Sequence, residues 1–266
     1  MMSQVTRFRA VALPPEHGGW ALIIEPIVLG LLVAPSMVGL FISLAALACF
    51  LARHPIKVAI GDRRRKRLLQ RTSLADRFAL LYVTLAVVFF STAVGITADR
   101  GFLLPLVIAL PLIVIQLLYD VRGQSRKAIP EILGALAVGS ISTAIALAAG
   151  WSKATAYALW IIIACRHVPT ILYLRVLLNR RREKQRPMVN GTVVVVQVLA
   201  LIAIIVLLFF KIAPASAILV FAILFIRAVV GLFNHRAPTP KQLGISEIIF
   251  GAFAVLMVYA GYLLGW

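Results

Sequence analysis

Ionisable side chains interrupt the long apolar stretches of this sequence, and they are the residues that could carry chemistry. Glu16-His17-Gly18-Gly19-Trp20 opens the first apolar run, and Glu25-Pro26 follows within it. Arg53-His54-Pro55 ends the second run, and Lys57 follows. A charged group inside a membrane segment is costly, so it is a functional candidate by default.

Further ionisable residues lie in later runs. Arg166-His167 lies within the sixth run, Arg227 lies within the eighth, and Glu131 and Glu247 open the fifth and the ninth. Guanidinium groups bind phosphate or carboxylate through two parallel hydrogen bonds, and imidazole titrates near neutrality. The residues therefore predict an anion-binding site, with His54 or His167 as candidate acid or base. A competing interpretation is that Glu25, Glu131 and Glu247 pair with Arg53, Arg166 and Arg227 as structural ion pairs.

The elements that must position these residues are transmembrane helices. The chain has 266 residues, of which 62% are hydrophobic and only 14% are charged. A soluble core of this length cannot bury so much apolar surface. The chain has only two cysteines, Cys49 and Cys165, and both lie inside apolar runs, so a secreted disulfide scaffold is excluded. We therefore predict an all-α polytopic transmembrane bundle, a single integral membrane domain over residues 1–266.

Nine apolar runs, each close to the length that crosses a bilayer, mark about nine spans. They cover residues 18–34, 37–52, 78–97, 101–119, 130–149, 154–174, 189–210, 213–233 and 243–265.

Positive charges set the predicted orientation. If the N-terminus is cytoplasmic, the inner segments hold 22 lysines and arginines and the outer segments hold 3, namely Arg100, Lys153 and Lys211. Lysine and arginine concentrate in cytoplasmic loops, so this split places the N-terminus inside and the C-terminus outside a bacterial inner membrane. The net charge of +18 then reflects contact with anionic lipid headgroups and not with nucleic acid. With this orientation, the ionisable residues inside the apolar runs all fall in the cytoplasmic half of the membrane, which predicts a cavity open to the cytoplasm.

Histidines and acids also raise the question of metal. None of His17, His54, His167 and His235 has a His or Asp partner at ligand spacing on its own helix, so haem and zinc are disfavoured. The residues imply no cofactor.

Two short segments echo each other: Ala52-Arg53-His54-Pro55 ends the second run, and Cys165-Arg166-His167-Val168-Pro169 lies in the sixth. Four runs separate them, which suggests two pseudo-repeated halves that each present Arg-His to one site.

The sequence resembles the YwiC-like family of bacterial membrane proteins. The resemblance rests on Pro15-Glu16-His17-Gly18-Gly19-Trp20-Ala21, on Arg53-His54-Pro55 before Asp62-Arg63-Arg64-Arg65, and on Pro130-Glu131-Ile132-Leu133-Gly134. This resemblance by itself implies no particular activity.

A more distant similarity is to the UbiA superfamily of intramembrane prenyltransferases, which have nine spans and a cytoplasm-facing cavity. Their loop after the fourth span carries a tyrosine, basic residues and a Leu-Gly; Tyr119, Arg126-Lys127 and Leu133-Gly134 resemble it. Their second and sixth spans end in Asp-rich motifs that hold Mg²⁺ on a prenyl diphosphate. Here Arg53-His54 and Arg166-His167 stand at those positions.

This departure makes Mg²⁺ doubtful, because Asp62 and Asp120 are the only nearby acids and are weak metal candidates. The resemblance implies an isoprenoid or prenyl phosphate, or another anionic lipid, as ligand.

Three functions stay open at this point: a UbiA-like transferase, a non-catalytic lipid- or quinone-binding protein and, less favoured, a transporter. The predicted binding residues are those just discussed: His17, Glu25, Arg53, Lys57, Tyr119, Arg126, Lys127, Glu131, Arg166, Arg227 and Glu247.

Overall fold

The structure is a computed structural model that describes residues 8, 11–14, 17–66, 69–124, 127–180, 188–234 and 238–265. Over these ranges the chain forms long helices and no strands. The helices are α1 (His17–Val33), α2 (Met37–Arg64), α3 (Gln70–Ile96), α4 (Leu103–Val121), α5 (Ala128–Ala148), α6 (Lys153–Arg180), α7 (Met188–Phe209), α8 (Ser216–Phe233) and α9 (Pro240–Leu264).

Eight of these helices, α2 to α9, are long and apolar enough to cross a membrane, and α1 is a shorter apolar helix. The predicted all-α polytopic bundle is confirmed by this architecture. The chain is therefore a multi-pass membrane protein.

Helix α5 lies at the centre of the bundle and packs against α1, α2, α4 and α6. Within its most apolar window 67% of the residues are buried, compared with 11% for α3. Small residues cover α5, including Ser140, Ser142 and Thr143, and these let neighbouring backbones approach closely. Helices α1, α6, α8 and α9 form a second contiguous group, in which α9 joins α1 to α8.

Local sequence signals explain several helix ends. Ser36 caps α2, since its side-chain oxygen accepts a hydrogen bond from the backbone nitrogen of Gly39 at 2.9 Å. Thr239 and Gln242 form a capping box at the start of α9, where Pro240 occupies the first turn. At the other end of α9, Gly265 has a left-handed backbone with φ of 70°.

Helices α2 and α3 extend furthest beyond their apolar runs. Helix α2 continues from the predicted end at residue 52 to Arg64, so Arg53, His54 and Pro55 lie inside the helix and do not end it. Helix α3 begins at Gln70, eight residues before the predicted start at residue 78. Hydropathy marks the lipid-embedded part of a helix, whereas α2 and α3 stay in contact past that boundary through the ion pairs Arg63–Asp76 and Asp62–Arg71.

Candidate functional site

Four helices bring ionisable side chains to one buried cluster, which we call the Arg166 cluster. Its charged members are Glu25 from α1, Arg166 and His167 from α6, Arg227 from α8 and Glu247 from α9. At 1.5 Å per residue, Glu25 lies about 12 Å from the start of α1 and Glu247 about 10 Å from the start of α9. Arg227 lies about 9 Å before the end of α8. These similar depths explain how Glu25, Arg227 and Glu247 reach one level, whereas α6 continues for about 21 Å beyond Arg166 to its end at Arg180.

Glu247 is the carboxylate that joins the two arginines. Its Oε2 lies 3.2 Å from Nη2 of Arg166, and its Oε1 accepts a short hydrogen bond from Nη2 of Arg227. Nη2 of Arg227 also donates to the hydroxyl of Ser246 at 3.1 Å. Glu247 therefore compensates two guanidinium groups at once.

Glu25 approaches the same arginine from another helix. Its Oε1 lies 3.6 Å from Nη2 of Arg166, and its Oε2 lies 3.1 Å from Nε2 of His167. Arg166 also donates from Nη1 to the hydroxyl of Thr170 at 2.5 Å. With two arginines and two glutamates, the cluster is electrically balanced when His167 is neutral.

The cluster is deeply enclosed. Arg166 and His167 are 3% and 2% exposed, and Glu25 is 8% exposed. The guanidinium of Arg227 lies over two rings, 4.2 Å from the centroid of Phe250 and 5.3 Å from that of Tyr173. Cation–π contacts of this kind strengthen as water is excluded.

Two glycines make room for the cluster. A Cβ atom added at Gly251 would collide with the carboxylate of Glu25, and one added at Gly231 would collide with the hydroxyl of Tyr173. The absence of a side chain at position 251 thus allows α1 and α9 to approach closely enough for Glu25 to reach Arg166.

Among the residues that the structure describes, two buried nitrogens of the cluster meet no hydrogen-bond partner: Nε of Arg166 and Nδ1 of His167. Beside Arg166 lies a small cavity with room for roughly one water molecule. The cavity is lined by Glu25, Arg166, Leu29, Ile162, Ile163, Phe221, Ala254, Val255 and Val258. The surface exposed to the cavity is apolar, and Glu25 and Arg166 are the two charged residues that border it.

Arg53 does not join Arg166 and Arg227, in contrast to the sequence-based expectation. Its Nε donates to Oδ2 of Asp120 at 2.7 Å. The side-chain oxygen of Gln116, in the amide orientation that satisfies its neighbours, accepts from both terminal nitrogens of Arg53 at 3.3 Å. This contact joins α2 to α4. The expectation that Arg53 joins the two other arginines was wrong. Residues at equal depth in the membrane can still face different neighbouring helices.

The other acids also have local partners. Glu131 pairs with Arg175 at 2.9 Å, and so α5 is joined to α6. Asp62 accepts from Arg71 at 2.5 Å and from Thr72 at 2.9 Å, across the α2–α3 connection. Neither Glu131 nor Asp62 lies in the Arg166 cluster. Within the described ranges no three His, Cys, Asp or Glu side chains group as metal ligands would.

The remaining predicted residues lie as follows. His54 and Lys57 are half-buried in α2, and Tyr119 lies in the last turn of α4 beside Asp120. Lys127 is exposed and directly precedes α5. Arg126 and the side chain of His17 lie outside the described parts of the chain.

Sequence reasoning missed several contributors to the cluster. Thr170 and Tyr173 follow Arg166 by four and seven residues, and Phe250 and Gly251 follow Glu247 by three and four. Residues at these spacings share a helix face, so the helical period could have identified them.

The comparisons with known proteins concern the first half of the chain. Residues 13–146, which include Glu25, Arg53 and Asp120, match the sequence model of the YwiC-like protein family. No curated protein and no solved structure shows significant similarity to the chain. Because the match spans half of the sequence, this multi-pass membrane protein belongs to the YwiC-like family.

Proposed function

We propose that this protein binds an isoprenoid or another lipid with an anionic headgroup, and that the headgroup binds at the Arg166 cluster. The observation that carries the proposal is the buried Nε of Arg166, a donor without a partner in a residue that lines the cavity. A buried donor costs free energy unless an acceptor reaches it, and a guanidinium offers several donors to one phosphate or carboxylate.

An amphiphilic ligand suits a cavity whose exposed surface is apolar and which charged residues border. Seven of its nine lining residues are apolar, and Glu25 and Arg166 are the charged ones. The cavity has room for roughly one water molecule, so the proposal places only a headgroup oxygen there. The apolar tail then extends between helices into the surrounding lipid.

The side of the membrane follows from the charge pattern. The 22 basic residues assigned to the inner segments place that side of the bundle in the cytoplasm, and the proposal has the headgroup enter the cluster from that side of a bacterial inner membrane. This orientation is shared with the UbiA-like transferases that the sequence distantly resembles.

A second candidate, a UbiA-like transferase, is favoured by one contact. Glu25 holds Nε2 of His167 at 3.1 Å, as a carboxylate orients the imidazole in other acid–base sites. In this candidate His167 takes or gives the proton of a transfer reaction, and the arginines hold the anion without Asp-bound Mg²⁺. Product formation from a prenyl phosphate and an acceptor would distinguish the transferase from a binding protein.

The test is binding of farnesyl phosphate to purified protein in mild detergent, with and without EDTA. We expect Arg166→Lys, which keeps the charge but loses Nε and the planar geometry, to weaken binding at least tenfold. EDTA should have no effect, and the control Asp76→Asn, which removes only the exposed pair with Arg63, should bind normally. Equal affinities of Arg166→Lys and Asp76→Asn, both folded and monodisperse, would refute the proposed site.

A further inference from the structure

The electrical balance of the Arg166 cluster constrains how an anion can enter it. Arg166 and Arg227 are already compensated by Glu25 and Glu247, at distances of 3.6 Å or less. A further anion would leave the buried site with a net negative charge, which is costly away from water. Resting on the proposed function, we infer that Glu25 is a proton-binding residue and that the ligand anion and one proton enter together.

The ligand anion can displace the carboxylate of Glu25 from Arg166 more easily than that of Glu247. Glu247 binds both arginines, so neutralising it would leave two guanidinium groups undercompensated. Glu25 has the longer contact with Arg166, 3.6 Å compared with 3.2 Å for Glu247, and it also lines the cavity. When the anion takes the place of Glu25 on Arg166, the proton neutralises the displaced carboxylate.

The groups around Glu25 restrict where this proton can go. Arg166 and His167 of α6 contact Glu25 directly. Glu247 of α9 contacts Arg166 and so lies one residue further away. Arg227 on α8 lies beyond Glu247. The ion-paired residues of α2 and α5 have partners outside the cluster; they are Arg53, Asp62, Arg63 and Glu131. His167 is therefore the competing proton acceptor, and the experiment must separate it from Glu25.

The coupling of proton uptake to ligand binding determines how the affinity changes with pH. If binding takes up one proton, the association constant falls about tenfold for each unit of increasing pH while Glu25 is ionised in the free protein. A phosphate ligand would titrate in the same range. The proton count therefore uses farnesyl sulfonate, which stays a monoanion between about pH 5 and pH 9.

The experiment measures binding of farnesyl sulfonate to the full chain by calorimetry in two buffers of different ionisation enthalpy. We expect uptake of about one proton in the wild type and in Asp76→Asn. We expect almost none in Glu25→Gln, which should still bind and should lose the pH dependence. In His167→Gln the uptake should persist.

The results distinguish this inference from the proposed function. Binding without proton uptake by the wild type would overturn the inference and leave the binding site standing. Uptake that persists in Glu25→Gln and disappears in His167→Gln would assign the proton to the imidazole and overturn the role of Glu25. If neither farnesyl phosphate nor farnesyl sulfonate binds at any pH, the proposed function fails, and the inference fails with it.

Discussion

Nε2 of His167 lies 3.1 Å from Oε2 of Glu25, although the two residues are 142 positions apart in the sequence. Glu25 lies in the part of the chain that matches the YwiC-like family model, and His167 lies beyond the end of that match at residue 146. The contact joins α1 to α6. The candidate site therefore depends on residues from both the matched and the unmatched part of the chain.

Glu247→Gln should destabilise the protein strongly. The substitution removes the charge that compensates both Arg166 and Arg227 while leaving two buried guanidinium groups in place. Breaking a buried ion pair from one side costs about 3–5 kcal/mol. Thermal unfolding in a mild detergent, followed by intrinsic fluorescence or by aggregation, measures the change.

Asp76→Asn is the matched control for this substitution. It also removes one carboxylate charge, but Asp76 and its partner Arg63 are exposed, with side-chain exposures of 42% and 54%. An exposed pair contributes about 0–1 kcal/mol. If the two variants unfold at the same temperature, Glu247 does not carry the compensating role that its contacts indicate.

Gly251→Ala should displace Glu25 from Arg166 and His167. The added methyl group would occupy the position of the Glu25 carboxylate, so either the side chain or α9 must move. Overpacking of this kind costs about 1–3 kcal/mol. We expect a lower unfolding temperature and weaker binding of farnesyl phosphate.

Gly244 offers a control on the same helix, seven residues earlier. A Cβ atom at Gly244 meets open space, so Gly244→Ala should be neutral or should stabilise the helix by about 0.5–1 kcal/mol. A Gly251→Ala variant as stable as Gly244→Ala would mean that the close approach of α1 and α9 is not needed for stability.

The presence of the helices could be predicted from the sequence, because a membrane helix must be apolar along its whole embedded length. Each predicted apolar run overlaps one helix, for example 130–149 and Ala128–Ala148. The helix ends at Arg64 and Gln70 could not be predicted in this way. Those turns lie beyond the apolar runs, where packing between α2 and α3 maintains the helices and hydropathy carries no signal.

The ion partners were harder to predict than the helices. Depth along each helix placed Glu25, Glu247, Arg166 and Arg227 at similar levels, and these four do come together. The same reasoning placed Arg53 with them. The partner of Arg53 depends on how α2 is rotated about its axis and on its packing against α4, and neither is encoded in a depth pattern.

Arg53 and Asp120 should be energetically coupled. Their contact of 2.7 Å joins α2 to α4, and the side chain of Asp120 is only 4% exposed. In a double-mutant cycle of Arg53→Ala and Asp120→Asn, each single change should destabilise, and the double variant should lose less than the sum. A coupling free energy of about 1–3 kcal/mol is expected for two residues in direct contact. Additive losses would indicate that the pair contributes little to joining the helices.

The number of membrane crossings depends on α1. This helix has 17 residues, which give a length of about 26 Å, slightly less than the roughly 30 Å of a hydrocarbon core. It carries Glu25 and Pro26, and it packs against α5 and α9, which are both long enough to cross. A helix embedded among spanning helices can cross with its ends close to the headgroups, so we expect α1 to be the ninth span.

The orientation prediction combines this span count with the distribution of basic residues. With 22 lysines and arginines on the inner segments and 3 on the outer ones, nine crossings place the N-terminus inside and the C-terminus outside. Alkaline phosphatase fused after Trp266 should be active, because that enzyme needs the periplasm to form its disulfides. Green fluorescent protein at the same position should be dark. Fluorescence at that position, with inactive phosphatase, would place the C-terminus in the cytoplasm. A reporter fused before α1 would then distinguish eight crossings, in which α1 does not cross and the N-terminus stays cytoplasmic, from a reversal of all nine, in which the N-terminus is outside.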